Sequence, residues 1–501
     1  MADHALRLVR LGIDTHQEPV VYMRADCHVC RSEGFTAHSR VRVTTDSSAL
    51  VATLNVVRGD LLQPGEAGLS ESAWTRLAAR SAQTARFSHA PPVESLSAVR
   101  AKIYGHALTE PQIEGVLRDV AAGRYADIEI AALLTAFTSA GLSLDEIVGL
   151  TRGMVAVGDQ IHWDREIVAD KHCVGGLPGN RTTPIVVAIV AALGVCIPKT
   201  SSRAITSPAG TADTMETLTA VDLDLPAMRR VVEREGGCLV WGGAVRLSPV
   251  DDLLIRIERA LDIDSEAQLV ASILSKKVAA GSTHVVIDIP IGPSAKVRDA
   301  QSAAILSRLL EQVGRQLGIS VRTLLTDGTQ PVGRGIGPAL EARDVLAVMR
   351  ASPDAPRDLR DRAVTLAGEV LELAGHCAIG RGESAASAAL SDGRAWAKLQ
   401  AICEAQGGMR EPPQAAHRCD QVALGAGRVL AIDNRRLSRA AKLAGAPSAK
   451  AAGISLRVRL GDPVESGEPL FELHAETPGE LEYARGYLDA HPDIVRVGAA
   501  G

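Results

Sequence analysis

The chain has 501 residues, more than one hydrophobic core can hold, so we expect roughly three or four domains. Hydrophobic residues make up 46% of it and aromatic residues only 3%, which excludes a disordered or fibrous chain and favours α/β cores of Ala, Val, Leu and Ile. The net charge of −5 excludes a general attraction for nucleic acid or anionic lipid, so local geometry has to hold any phosphate-bearing ligand.

The cysteines and the apolar runs indicate the cellular compartment in which we expect the protein. The start of the chain lacks the basic residues and apolar stretch of a signal peptide, and the longest apolar run, residues 185–197, is too short to cross a bilayer. Eight scattered cysteines favour reduced thiols in the cytoplasm over a disulfide framework. The pair in Cys27-His28-Val29-Cys30 has no second ligand pair at a useful spacing, so we expect no metal.

The first part of the chain divides into a β-rich and a helical segment. Alternating and β-branched residues predict a small β-rich module over residues 1–88. Helices follow over residues 93–160, where Thr109 and Ser143 each begin a capping box with apolar residues at helical spacing behind it. The predicted elements of the first module are strands at residues 6–13, 19–23, 39–44 and 50–57 and a helix at residues 70–81.

From residue 161 short β-rich runs alternate with helices, a pattern typical of a largely parallel sheet covered by helices. We assign residues 161–249 and 282–415 to this α/β domain and residues 416–501 to a C-terminal α+β module. Ligands of such sheets bind at the carboxyl ends of the strands. The predicted strands are residues 196–201, 238–241, 283–289 and 320–325, and the predicted helices are residues 185–193, 227–235, 300–317 and 340–349.

Residues 170–184 have the composition of an anion-binding turn. Their three glycines let backbone N–H groups approach a ligand, and Lys171 adds a positive charge. Thr182 or Thr183 can cap the helix that follows, whose amino end favours an oxyanion. We therefore predict a phosphate site here, which we call the cradle.

Three further stretches carry more polar residues than folding explains. Residues 201–216 are dense in hydroxyls between a strand and a helix, residues 259–277 include Asp264 and two adjacent lysines, and residues 289–296 place Lys296 beyond a strand end. Each stretch alone has a structural explanation, such as helix capping or a solvated face. Their combination is more specific.

Together the four stretches resemble the thymidine phosphorylase family of nucleoside and nucleotide phosphorylases. The resemblance rests on residues 202–216, on Gly105-His106-Ala107-Leu108 and on residues 272–277, and it spans about residues 95–501. The first module and the residue sequence of the glycine turn resemble the long subgroup of this family. That subgroup includes AMP phosphorylases and bacterial proteins assigned as thymidine phosphorylases.

The resemblance implies an α/β multidomain fold. A helical bundle, residues 93–160 with a returning segment at about residues 250–281, would be hinged to the largely parallel α/β domain, with the active cleft between them. The N-terminal β-rich module and the C-terminal α+β module complete the chain. Because family members associate at least as dimers, we expect a homodimer or larger homo-oligomer. We expect no nucleic acid or membrane partner and no cofactor, with inorganic phosphate as a co-substrate.

The same resemblance implies roles for individual residues. Asp264 would be the proton donor in the AMP-directed subgroup, with His172 as a rival donor. Cys173 stands where the family usually has a serine that helps to bind phosphate, and a thiol is a poorer hydrogen-bond donor. Phosphate would be held by Lys171, Ser201 or Ser202, and Thr211; the base by Arg259, Ser272 and Lys276; and a nucleotide by Gly176, Ser202, Arg203, Ala204, Ile205, Thr206, Ser207, Thr211, Ser272 and Lys296.

The expected reaction is phosphorolysis of an N-glycosidic bond. The substrate would be thymidine, giving thymine and 2-deoxyribose 1-phosphate, or AMP, giving adenine and ribose 1,5-bisphosphate. Two rivals stay open. One is a phosphoribosyltransferase of the anthranilate type, which shares the architecture and would need Mg²⁺. The other is a non-catalytic relative that binds a ligand.

Overall fold

The computed structural model describes residues 5–204, 207–263 and 265–498. The chain divides into two compact units, Met1–Val157 with Pro249–Gln268, and Gly158–Ser248 with Leu269–Gly501. The predicted division into four modules is finer than this and stays a prediction. We expected the returning segment to reach residue 281. The second unit resumes at Leu269 and includes Lys277, which is paired with a buried carboxylate, and the extent of the returning segment stays a prediction.

The first unit begins with a closed barrel of six strands and two short helices. The elements are β1 (Ala5–Arg10), β2 (Val20–Arg24), α1 (His28–Glu33), β3 (Arg40–Thr44), β4 (Ala49–Val57), β5 (Glu66–Leu69), α2 (Glu71–Leu77) and β6 (Thr84–His89). The strand order is β1-β5-β2-β4-β3-β6. Alternate residues such as Leu6 and Leu8 face the core. Strands β5 and β6 were not predicted because β5 is short and β6 is mostly polar.

Four helices follow the barrel and bury the predicted apolar stripes. They are α3 (Leu96–Ile103), α4 (Glu110–Ala121), α5 (Asp127–Ala140) and α6 (Leu144–Ala156). The hydroxyl of Ser143 accepts from the N–H of Glu146 at 3.3 Å, and the Glu146 carboxylate accepts from the N–H of Ser143 at 2.9 Å. The capping box predicted at the start of α6 is therefore confirmed.

The second unit is built on parallel strands covered by helices. Between residues 169 and 405 the elements are β7 (Ala169–Cys173), α7 (Thr183–Ala192), β8 (Ile197–Ser201), α8 (Thr211–Glu216), α9 (Leu225–Glu235), β9 (Gly237–Trp241), α10 (Pro249–Leu261), α11 (Glu266–Ala279), β10 (His284–Ile291), α12 (Ala300–Gln316), β11 (Ser320–Asp327), β12 (Gly335–Ile336), α13 (Pro338–Met349), α14 (Arg357–Leu373), α15 (Gly382–Ser391) and α16 (Arg394–Ala405). Of these, α10 belongs to the first unit.

Three of the four predicted polar stretches begin at the carboxyl ends of the parallel strands β7, β8 and β10. β10 lies between β7 and β11, and β8 pairs with β9, all in parallel. The N–H of Ala169 donates to the carbonyl of Cys196 at 2.8 Å and so connects the two sets of strands. α7 is apolar on every side and fully internal, so it packs in the main core of the unit. Strand β7 was not predicted because three of its five residues are polar or charged.

The chain ends in a small module of strands and helices. Its elements are β13 (His417–Val422), β14 (Gly427–Ile432), α17 (Asn434–Leu443), β15 (Gly453–Leu456), β16 (Pro463–Val464), β17 (Pro469–Ala475), α18 (Pro478–Asp489) and β18 (Val495–Gly498). The strands form two sheets, β12-β15-β17-β13 and β16-β14-β18. The β-rich beginning, the helices, the parallel α/β part and the α+β end confirm the predicted fold class.

Within residues 5–204, 207–263 and 265–498, every helix falls short of the length and apolar character that crossing a bilayer requires.

Candidate functional site

The cradle lies at the carboxyl end of β7. Lys171 is on this strand, beneath the glycine turn, and its side chain is fully buried. The ammonium group donates to Thr182 Oγ1 at 2.7 Å and lies 4.0 Å from the carboxylate of Asp288. Burial lowers the pKa of Lys171 from its usual value. The predicted cation of the cradle is thus an internal group, held by two other buried polar residues.

The amino end of α7 differs from the prediction in one contact. Thr182 occupies the N-cap position, and Pro184 lies in the first turn as expected. The Thr182 hydroxyl makes no hydrogen bond to the helix backbone and accepts from Lys171 instead. The predicted side-chain cap is therefore replaced by a tie between the helix and the strand.

Two glycines let the turn contact other segments closely. At Gly176, where φ is +81°, a Cβ would lie 2.4 Å from the backbone N of Lys296. At Gly179, where φ is +73°, a Cβ would lie 2.3 Å from the carbonyl oxygen of Val332. Only glycine combines this backbone conformation with such contacts. The cradle therefore packs on the segment that ends at Lys296, the fourth of the predicted polar stretches.

We expect Gly176→Ala to destabilise the protein by about 1–3 kcal/mol more than Gly175→Ala, because overpacking is added to backbone strain. Gly175 is a matched control, since its φ of +96° is also positive but a Cβ there meets nothing within 4 Å. Urea unfolding of both variants gives the comparison. Equal losses of stability would contradict the close contact with Lys296.

The hydroxyl-rich segment after β8 is organised by Asp213. Its carboxylate accepts from the N–H of Ala204 at 2.6 Å and from the N–H of Gly210 at 2.9 Å. A Cβ at Gly210 would lie 2.5 Å from the carbonyl oxygen of Ser202, so glycine is needed where the segment closes on itself. Asp213 therefore holds together the described residues on either side of this segment, Ala204 after β8 and Gly210 before α8.

Arg203, which we expected to contact a nucleotide, is engaged in ion pairs of the protein itself. Its guanidinium donates two hydrogen bonds of 2.8 Å to Glu216 and lies 4.9 Å from the ring centroid of Trp241. Arg203, together with Lys450, lowers the pKa of Glu216 to about 2 against the effect of burial. Arg203 thus braces the segment, and its contact with a ligand stays a prediction.

Arg181 joins the cradle to the hydroxyl-rich segment. Its guanidinium donates to Thr211 Oγ1 at 2.7 Å and to the buried Glu341 carboxylate at 2.6 Å. The next residue, Thr182, binds Lys171. The contacts of two consecutive residues therefore bring Lys171 and Thr211 to the same side of the domain, as a shared phosphate pocket requires.

Ser201 offers an unused hydroxyl at the carboxyl end of β8. Its Oγ is buried and has no hydrogen-bond partner in the described part of the chain. Such a group is unfavourable unless a ligand or water binds it. Ser202, the alternative phosphate contact, is exposed. Ser201 is therefore the better placed of the two to donate to a bound anion.

Beneath the cradle, Asp170 binds two buried lysines. Lys199 donates to one carboxylate oxygen at 2.8 Å, and Lys277 donates to the other at 2.7 Å. Burial raises and the two lysines lower the pKa of Asp170, and the net shift is downward. These three residues, which we call the ion triad, join β7 and β8 to α11. The helix that carries Ser272 and Lys276 is thereby tied to the strand that carries Lys171.

Lys277 should make the stability of the protein depend on pH. Burial, opposed by the attraction of Asp170, lowers the pKa of Lys277 to about 7 from its usual 10.5. Between these values the unfolded state binds more protons, so this group makes the free energy of unfolding rise with pH. We expect Lys277→Met to flatten that rise. Urea midpoints of both proteins across this pH window measure it, and identical slopes would exclude the lowered pKa.

His172 and Cys173 are both uncharged near neutral pH. Burial, followed by the positive charges of neighbouring lysines, Lys277 foremost, holds the pKa of His172 well below 6.5. Burial and Asp288 raise the pKa of Cys173 to about 12, and its sulfur accepts from Asn180 Nδ2 at 3.4 Å. A ligand at this position would therefore meet a neutral imidazole at His172 and a protonated thiol at Cys173.

The other predicted residues divide between the two units. Arg259 is exposed near the end of α10 in the first unit. Ser272 and Lys276 lie one turn apart on α11, on one face of the second unit's part of that helix. Asp264, Ile205 and Thr206 lie outside the described residues. Ala204 and Ser207 are half-buried and Lys296 is exposed.

Sequence reasoning missed the buried polar network around the cradle. A signal was present in β10, where Asp288 is a charged residue within a run of apolar residues, and a weaker one in β8, where Lys199 follows Ile197 and Pro198. Charged residues in internal strands need a partner. Their partners, however, come from distant segments that no local pattern identifies. The missed residues are Asp170, Asn180, Arg181, Lys199, Asp288 and Glu341. Lys277 was noted in the third polar stretch, but its pairing with Asp170 was not predicted.

Three protein-family models match the chain, in the order in which its domains occur. They are the helical bundle domain of a glycosyl transferase family at residues 96–158, the a/b domain of a glycosyl transferase family at residues 165–396, and the pyrimidine nucleoside phosphorylase C-terminal domain at residues 421–494. The cradle, the hydroxyl-rich segment and α11 all lie within the second match.

Bacterial proteins are similar to this chain over almost its whole length. It is 61% identical to "Putative thymidine phosphorylase 1" of Acidovorax sp. (strain JS42), with 99% of each chain covered. It is 62% identical to "Putative thymidine phosphorylase" of Polaromonas sp. (strain JS666 / ATCC BAA-500), covering 99% of this chain and 97% of that protein. The protein of the same name from Legionella pneumophila (strain Paris) is 58% identical, with 99% and 96% covered.

Among solved structures, the chain is similar to anthranilate phosphoribosyltransferase from Thermus thermophilus, with a TM-score of 0.53 and 20% identity. The match covers 62% of this chain and 99% of that one. At this identity the likeness shows a shared fold alone. The family models and the full-length relatives go further, and the chain belongs to the thymidine phosphorylase family.

Proposed function

We propose that this protein catalyses the phosphorolysis of pyrimidine nucleosides, with thymidine as the leading substrate. The products would be the free base and a pentose 1-phosphate. The observation that carries the proposal is the tie, through Arg181 and Thr182, between Thr211 and Lys171. The names of the full-length relatives support the same activity.

Phosphorolysis requires a bound and positioned phosphate, which is the role we propose for the cradle. A phosphate oxygen forms a bond to C1′ while the C1′–N bond breaks, and the electron pair of that bond leaves with the base. Positioning the anion and stabilising the charge on the departing base provide the rate enhancement. We propose that Lys171, Ser201 or Ser202, and Thr211 hold the phosphate.

The base would be held by Arg259, Ser272 and Lys276, as the family resemblance implies. Two residues are candidate proton donors. Because its low pKa leaves the imidazole neutral, we propose that His172 stabilises the departing base by hydrogen bonding, without protonating it. Asp264 could donate a proton only if burial or a neighbouring anion raised its pKa.

A substrate panel tests the proposal. Thymidine, uridine, AMP and CMP are incubated with and without inorganic phosphate, and the free base and the sugar phosphate are quantified. We expect base release from thymidine only in the presence of phosphate, with one sugar phosphate formed per base. Base release without phosphate would contradict the mechanism. Calorimetric binding of phosphate without turnover of any substrate would favour the non-catalytic relative.

A nucleoside 5′-monophosphate such as AMP is the second candidate substrate. The observation that favours it is the exposed Lys296, whose backbone packs against Gly176 of the cradle. A charge-assisted contact to a 5′-phosphate contributes about 1.5–3 kcal/mol, so Lys296→Ala should raise the KM for AMP by roughly 10- to 100-fold. Thymidine turnover should not change. Arg298→Ala, which removes an exposed cation two residues further on, is the matched control.

Three further properties belong to the proposal. An anthranilate-type transferase would need a pyrophosphoryl ribose and Mg²⁺, so full activity in EDTA would contradict that rival.

We propose that the protein is a homodimer or larger homo-oligomer, and light scattering measures its mass in solution. The scattered cysteines favour the cytoplasm as the compartment.

A further inference from the structure

Cys27 and Cys30 form a pair of thiols in the N-terminal barrel, which the proposed function does not use. Cys27 is the N-cap residue of α1, and Cys30 lies three residues later in the first turn of that helix, so the two side chains lie close together at its amino end. Both are buried in the core of the barrel. The thiol of Cys30 donates to the sulfur of Met23 at 3.3 Å.

The two sulfurs differ in how readily they ionise. The neighbouring Cys30 sulfur lowers the pKa of Cys27, although burial opposes this shift. The same interaction, together with burial, raises the pKa of Cys30. By contrast, burial raises the pKa of Cys238 and Cys403 elsewhere in the chain. The barrel pair therefore combines one nucleophilic sulfur with a neighbouring thiol that can attack a mixed disulfide.

We propose that Cys27 and Cys30 are a redox modification site, which forms a reversible intramolecular disulfide by exchange with low-molecular-weight disulfides such as oxidised glutathione. The Cys27 thiolate attacks one sulfur of the oxidant, forms a mixed disulfide and expels the first glutathione thiolate. Cys30 then loses its proton and attacks the Cys27 sulfur, which expels the second. The two protein thiols are oxidised, the glutathione disulfide is reduced, and the expelled thiolates take up the two protons.

A metal site is the other common use of two cysteines at this spacing. A structural zinc ion needs four ligands. In the part of the chain that the structure describes, no three His, Cys, Asp or Glu side chains are grouped so that they could hold a metal ion. The geometry therefore favours the disulfide.

Mass spectrometry of the whole protein tests the proposal. The protein is equilibrated with oxidised and reduced glutathione in defined ratios, quenched with acid, alkylated and digested with trypsin. Cleavage after Arg24 and Arg31 gives a peptide, residues 25–31, that contains both cysteines and no other. We expect this peptide to lose both alkyl groups together and two hydrogen masses as the ratio becomes oxidising, and to regain them in dithiothreitol.

Two variants separate the steps of the exchange. Cys30→Ser should accumulate the mixed disulfide on Cys27, because the resolving thiol is absent. Cys27→Ser should react at least about tenfold more slowly with oxidised glutathione, because the ionised sulfur is absent. Cys377 and Cys419 are half-buried thiols that serve as controls. The proposal is overturned if the wild-type peptide stays fully alkylated while Cys377 or Cys419 becomes glutathionylated, or if Cys27 pairs with another cysteine.

Discussion

Replacing Lys171 by methionine should reduce phosphate-dependent base release by about 100- to 1000-fold, the loss typical of removing one group that stabilises charge in a transition state. The same change should also lower the thermal midpoint, because it leaves the buried Asp288 carboxylate without its nearby ammonium group. Removal of the costly buried ammonium group limits this loss, since an apolar side chain of similar length fills its space. Asp288 keeps its hydrogen bonds from Asn180 and Thr326 in the variant.

Steady-state kinetics with thymidine and varied phosphate, together with thermal unfolding, measure the two effects. Lys398→Met is the control, because it removes a half-buried lysine of α16 that has no part in the cradle. Its turnover should stay within about twofold of wild type. A Lys171→Met enzyme with turnover within about tenfold of wild type would show that the cradle lysine does not stabilise the reaction.

The second large effect is expected from Asp170→Asn, which should lower the free energy of unfolding by about 3–5 kcal/mol. The change removes the only negative charge of the ion triad and leaves Lys199 and Lys277 buried without a counter-charge. Because the triad joins β7 and β8 to α11, the variant should also raise the KM for phosphate. Urea unfolding and phosphate titrations check both expectations.

Two controls sharpen this prediction. Glu110→Gln breaks an ion pair with Arg152 in which both side chains are about half exposed, and it should cost less than about 1 kcal/mol. Adding Lys277→Met to Asp170→Asn removes one of the two uncompensated charges and should restore part of the stability. If Asp170→Asn costs no more than Glu110→Gln, the triad does not stabilise this unit.

The sequence predicted the parts of the candidate site better than their connections. Glycine positions, hydroxyl-rich turns and the amino end of α7 are local features, and each follows from backbone geometry at a few consecutive residues. Strand β7 was missed because its charged residues interrupt the alternation by which strands are recognised. Thr182 occupies the expected N-cap position of α7, but its hydroxyl accepts from a lysine eleven residues earlier and makes no bond to the helix backbone.

The amino-acid sequence by itself determined the class of fold, the family and the position of the glycine turn, because these depend on short-range patterns and composition. Only the tertiary structure decided which charges meet. Asp170 is paired with a lysine 29 residues and another 107 residues away, and Arg181 reaches Thr211 across 30 residues and Glu341 across 160. Burial then shifts the pKa values of these groups, since desolvation and partner charges exist only once the chain is folded.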